Sequence, residues 1–120
     1  MTTQNETPAA TDAVNEVRLV GRLSVAAERR ELPSGDAIMV FRVVVQRPEV
    51  ARRGTQTVDV VECTAWRPGL MRTVGGWCAG DLVAIRGAFR RRFYQAGGRT
   101  LSRAEVEVEG GRVIRRAARA

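Results

Sequence analysis

The run Ala37 to Gln46 sets Ile38, Val40, Arg42 and Val44 on one side of an extended chain and Met39, Phe41, Val43 and Val45 on the other. Both sides are largely apolar, so this segment reads as a central strand. Val17, Leu19, Gly21 and Leu23 alternate with Arg18, Val20 and Arg22 just upstream, the period-two pattern of a strand with one buried face, and Gly21 in its middle points to a bend or bulge. Between the two, Leu32-Pro33-Ser34-Gly35-Asp36 has the chemistry of a turn.

Arg47 to Gln56 breaks the pattern and reads as a mobile basic arm carrying Arg47, Arg52 and Arg53. Strand character resumes over Thr57 to Trp66. Pro68 suits the first turn of a short, weak helix ending at Gly75-Gly76. A fourth strand runs from Asp81 to Tyr94, and Gln95-Ala96-Gly97-Gly98 is a hairpin loop into a fifth, Thr100 to Glu109, whose Ala104, Val106 and Val108 alternate with charged residues. Five strands with one short helix between strands 3 and 4 make an all-β chain in the order of a five-stranded OB-fold barrel, an order other small β-barrels share. Met1 to Ala13 has no periodicity and is expected to be a disordered tail, residues 14–110 the folded domain, and residues 111–120 a fraying basic tail.

At 120 residues the chain is one domain's worth. Its formal net charge is +7, and all 20 basic residues are Arg, with no Lys or His. Guanidinium forks pair with phosphate and stack on rings but make poor general bases, so the composition favours binding over catalysis. A catalytic constellation is not visible: there is no imidazole, and Asp59 and Glu62 fall on opposite faces of one strand. Cys63 and Cys78, without His, indicate neither a metal site nor a disulfide framework and read as buried thiols. No cofactor is expected. The first residues lack a basic start and an apolar run, and no apolar run is long enough to cross a bilayer, so a cytoplasmic protein with no membrane partner is the expectation.

The stretch Asp81 to Tyr94 carries the chemistry. By alternation Arg86, Arg90, Arg92 and Tyr94 share one face while Val83, Ile85 and Phe89 share the other; Arg91 and Phe93 fall on the buried side by this count, with the alternative that the strand end already lies beyond the core. Arginine beside aromatic rings points to nucleic acid, because guanidiniums meet phosphates while ring faces stack on unpaired bases. Arg22 and Arg42, set among apolar residues on their strands, fit a groove lined by positive charge. Phe41 and Trp77 are assigned to packing.

Four segments, in order, resemble the bacterial single-stranded DNA-binding protein family. Val14-Asn15-Glu16-Val17 through Leu23 is similar to its opening strand. Glu31 to Ala37 with Phe41-Arg42-Val43 resembles its Pro-x-Gly turn and following apolar run; Cys63-Thr64-Ala65-Trp66-Arg67 resembles the end of its third strand; Gly80 to Tyr94 resembles its Gly-x-x-Val-x-Ile-x-Gly stretch.

The resemblance, over roughly residues 14–110, implies an OB fold, a homotetramer and binding of single-stranded DNA without strong sequence preference during replication, repair or recombination, in association with the nucleoid. The implied contacts are Arg22, Arg42, Arg86, Arg90, Arg92, Arg99 and Arg103 on phosphates, with Trp66 and Tyr94 stacking on bases. Three departures limit the likeness. Glu49 and Val60 fall near positions where the family carries aromatics, and the chain stops at Arg115-Arg116-Ala117-Ala118-Arg119-Ala120 in place of an acidic tail. An accessory paralogue without tail-mediated recruitment of repair enzymes is the expectation. An RNA-binding OB module and an interaction protein with lost nucleic-acid binding are the rival readings.

Overall fold

A computed structural model describes residues 12–118. Its strands are β1 (Val17–Leu23), β2 (Glu28–Glu31), β3 (Ala37–Gln46), β4 (Val58–Ala65), β5 (Leu82–Ala96) and β6 (Arg99–Arg115), with one helix, α1 (Pro68–Gly75), between β4 and β5. The sheet order is β1-β5-β6-β4-β3-β2, and β1 also pairs with β3. That extra pairing, Arg22 opposite Val44 and Leu23 opposite Val43, closes β1, β5, β6, β4 and β3 into a ring. This is the five-stranded OB barrel. β2 is an additional strip on the outer edge of β3.

Closure depends on Gly21. A Cβ there would lie 2.3 Å from the Val44 carbonyl oxygen, so only a residue without one lets β1 leave β5 and meet β3 at this point.

The interior is the inward phase of each strand. Leu23, Met39, Phe41, Val43, Cys63, Ala65, Val83, Ile85, Val106 and Val108 pack together with Val74 from α1 and Trp77 just after it. Trp77 meets Phe41 edge to face, with ring centroids 5.9 Å apart and planes at 88°. The packing assigned to both rings from sequence is therefore observed. Pro68 opens α1 and Gly76 caps it, as their residue types require. Helix and Trp77 together plug one end of the barrel. Beside the plug, Asp81 is fully buried and accepts hydrogen bonds from the backbone N–H of Cys78 and Ala117 and from Arg116. The segment after β6 is thereby tied to the end of the barrel.

Several expectations need correction. β2 was not legible, because Glu28-Arg29-Arg30-Glu31 is charged throughout and exposed throughout, leaving no apolar alternation. β6 runs to Arg115, past Glu109 where sequence ended the fifth strand, so residues 111–115 are strand and not tail. A register shift at Arg86/Gly87 accommodates Glu109, after which Val113 pairs with Val83 and continues the ladder. Residues 1–11 of the expected N-terminal tail lie outside the described residues. The 47–56 segment contains a 3₁₀ turn, Glu49–Ala51, and Arg47 reaches across it to bond Asp59 at 2.7 Å and the Ala51 carbonyl oxygen at 3.2 Å. Of the two thiols expected to be buried, Cys63 is, and Cys78 is half-buried.

Candidate nucleic-acid interface

β5 and β6 outgrow the barrel. Gly97 and Gly98, with φ of 58° and 77°, form the two-residue turn that joins them, and pairing is one for one from Ala96 opposite Arg99 back to Gly87 opposite Val108. Val83, Ile85 and Ala88 are buried, whereas Phe89 is 46% and Phe93 68% exposed. The strand leaves the core at Phe89, so Phe89 does not share the burial of Val83 and Ile85 that alternation predicts, and Phe93 lies beyond the core, the alternative left open for the strand end. The Asn15 side chain braces this exit point, donating to the Phe89 carbonyl oxygen at 2.7 Å and accepting from its N–H at 2.8 Å.

The projecting ribbon walls an open cleft of about 350 Å³ whose other sides are β2, β3 and β4. Arg92, Tyr94 and Arg103 come from the ribbon, Arg30 and Leu32 from β2 and its turn, Ile38 and Val40 from β3, and Thr64 from β4. Three predicted contacts, Arg92, Tyr94 and Arg103, thus meet in one concavity. Trp66 lies beside it, with the Arg92 guanidinium carbon 4.7 Å over its ring. Its indole also borders a second hollow with Met39, Pro68, Met71 and Arg72. Arg42 lines an adjoining hollow that shares Arg30, Val40 and Glu62 with the cleft.

The remaining predicted residues are placed elsewhere. Arg22, on β1, donates to the Gly80 carbonyl oxygen at 2.9 Å. Arg86 lies with Arg18 and Arg112 around Gly110 and Gly111. Arg99 stands at the turn of the ribbon, exposed, and Arg90 sits on the ribbon without lining the cleft.

Sequence reasoning missed the apolar floor. Ile38 and Val40 were visible as apolar residues on the same phase as Arg42, and Ile38 is in fact buried beneath the cleft. It also missed the carboxylates. Glu105, Glu107 and Glu109 of β6 face Arg92, Arg90 and Arg86 of β5, at 2.7, 3.1 and 3.9 Å, and Glu62 holds Arg42 at 2.8 Å. Two of these contacts are diagonal: Arg90 stands opposite Glu105 yet bonds Glu107, and Arg92 stands opposite Arg103 yet bonds Glu105. Four of the seven predicted phosphate-binding arginines are therefore paired within the chain.

Burial acts on one titratable group nearby. Removal from water, reinforced by the negative charges of Glu62 and Glu105, pushes the Cys63 thiol up to about 12. It is a neutral packing group of the barrel wall behind the cleft.

Comparison with known proteins agrees with the barrel and its closure. Residues 14–114 match the model of the single-strand binding protein family. The single-stranded DNA-binding protein 3 of Listeria innocua serovar 6a is 33% identical over 82 residues, which is 68% of this chain and 51% of that protein. The single-stranded DNA-binding protein of Oceanobacillus iheyensis is 30% identical over 94 residues, 78% of this chain and 58% of that one. The chain thus spans about half the length of the curated relatives it matches. Among solved structures, one described as the Plasmodium falciparum SSB complex with ssDNA superposes with a TM-score of 0.68 over 86% of this chain and 95% of its own, at 16% identity, a likeness of fold. With the match extending over nearly every described residue, this chain belongs to the single-strand binding protein family.

Proposed function

We propose that the chain binds single-stranded DNA, with little sequence preference, in the cleft between the β5–β6 ribbon and the β2–β3–β4 wall. The observation that carries this reading is the convergence of Tyr94, Arg92 and Arg103 on one concave, partly apolar surface with Trp66 at its side. Rings stack on bases of any identity, and guanidiniums take the phosphates between them. Stacking on Tyr94 requires bases that are unpaired, since a duplex hides the base faces that its ring would meet. Arg42 extends the cationic path along the neighbouring hollow, and Arg99 extends it along the ribbon. Arg22, Arg86 and Arg90 would join only if the strand wraps beyond the cleft, which a homotetramer presenting several clefts favours. In this role the protein shields exposed strands at the nucleoid during replication, repair or recombination and performs no chemical step.

Pairing tempers the electrostatics. Phosphates must compete with Glu62, Glu105, Glu107 and Glu109 for Arg42, Arg92, Arg90 and Arg86, and Val60, exposed where the family resemblance places an aromatic, offers no ring. Both observations point to weaker binding than the +7 charge alone implies.

The test is titration of a dT oligomer at several salt concentrations, following tryptophan fluorescence. Quenching of Trp66 together with an affinity that falls steeply with salt is the expected result. Absence of binding at low salt would refute the reading. Competition by an RNA strand of matched sequence that equals DNA would transfer it to RNA.

A further inference from the structure

Trp66, Thr64, Glu105 and Arg92 close a ring of contacts on the wall of the cleft. The Trp66 indole N–H donates to Thr64 Oγ1 at 3.3 Å, and the Thr64 hydroxyl donates to Glu105 Oε2 at 3.1 Å. Arg92 Nε donates to that same carboxylate oxygen at 2.7 Å, and its guanidinium carbon lies 4.7 Å over the Trp66 ring. The four residues come from two segments distant in sequence, the end of β4 and the β5–β6 ribbon.

The three carboxylates of β6 differ in depth. The side chain of Glu105 is 6% exposed, that of Glu107 33% and that of Glu109 53%. A carboxylate withdrawn from water to the extent of Glu105 persists when its oxygen is paired and hydrogen-bonded, and here one oxygen receives two donors. Arg92 is anchored from below by a hydrogen bond through Nε, no hydrogen bond from Nη1 or Nη2 is formed among the described residues, and the side chain stays 40% exposed. A carboxylate that merely competed with phosphate would be expected at the surface and on the Nη fork. Glu105 is neither.

We infer that Glu105 is the positioning residue of this cleft: it fixes Arg92 on the Trp66 ring, so that an entering base meets a guanidinium-capped indole whose Nη atoms remain available for a phosphate or a base edge. The inference rests on the single-strand reading above. Arg92 then acts as part of the stacking surface, since a guanidinium plane stacks on rings as well as pairing with anions. Thr64 serves the same end by orienting both the indole and the carboxylate.

Two variants separate positioning from masking. Glu105→Gln retains an amide oxygen for Arg92 Nε and Thr64 while removing the negative charge; Glu105→Met retains length and removes both acceptors. In titrations with a dT oligomer at one salt concentration, read by tryptophan quenching and accompanied by thermal melts, Glu105→Met is expected to bind roughly tenfold more weakly and Glu105→Gln at least as tightly as the parent chain. Glu105→Met binding as tightly as the parent, or more tightly, would overturn the inference, because a mask improves binding when removed. Should Glu105→Met fail to fold, Arg92→Lys decides: it keeps the charge and loses the planar stack, so roughly tenfold weakening supports positioning and unchanged affinity refutes it. Failure of the parent chain itself to bind dT would instead remove the single-strand reading on which all of this stands.

Discussion

The two halves of the β5–β6 ribbon belong to one antiparallel ladder, shifted in register within the root at Leu82/Val83 and Arg86/Gly87 and pairing one for one in the arm, and they have different environments. In the root, Val83 and Ile85 of β5 are buried in the barrel core together with Val106 and Val108 of β6. In the arm, Phe89, Phe93 and Tyr94 are exposed, and the strands are held by a two-residue turn, by Arg–Glu pairs and by the Asn15 clasp. Backbone pairing by itself therefore does not separate fold from function. Burial does: the root is stabilised by apolar contact and the arm by local geometry, and the arm carries its aromatic rings at the surface.

The strongest test of that contrast is Trp77→Ala against Phe93→Ala in urea denaturation. Loss of the buried ring should cost about 3–5 kcal/mol, whereas loss of the exposed one should stay within about 0.5 kcal/mol. Equal costs would mean the arm is part of the cooperative core. Next, Tyr94→Ala should weaken dT binding by about 1–3 kcal/mol while leaving the thermal midpoint in place. A lowered midpoint with intact binding would put the ring in the wrong half of the comparison.

Smaller effects sharpen it further. Arg90→Ala removes an exposed pair with Glu107 and should change stability by less than about 1 kcal/mol; if the bound strand continues past the cleft to Arg90, the salt dependence of binding falls by about one phosphate contact. An unchanged slope would confine the strand to the cleft.

The thiols probe the barrel by pH. Cys63, with its folded value raised to about 12 from 9.0, is neutral in both folded and unfolded chains below 9.0; above it the unfolded chain ionises first, so the stabilisation is lost as pH rises from about 9 toward 12. An alkylating reagent near neutral pH should therefore modify half-buried Cys78 and reach Cys63 only on unfolding, as mass spectrometry would show. Equal labelling rates in the native state would contradict the packing of β4.

Legibility followed burial as well. β3 is found with the bounds its apolar run predicts, and α1 between its Pro and Gly signals, because those cues are local. β2 escaped because four charged, exposed residues carry no pattern. Tyr94, Arg92 and Arg103 were legible as a cationic and aromatic surface, yet Phe89 was assigned to the wrong environment, since alternation along a strand cannot tell where the strand leaves the core. Arg86 and Arg92 share a phase on β5 and still serve different hollows.

What the sequence determined by itself was the five strands of the barrel, the helix with its caps, the hairpin at Gly97-Gly98 and the excess of guanidinium charge, all properties of neighbouring residues. Tertiary structure alone decided which carboxylate meets which arginine and which ring an arginine covers. Thr64 and Glu105 are separated by 41 positions and meet only because β4 and β6 lie side by side in the closed barrel. The electrostatics of the cleft are a product of that closure, since charge interactions depend on distance through space and the sequence records only distance along the chain.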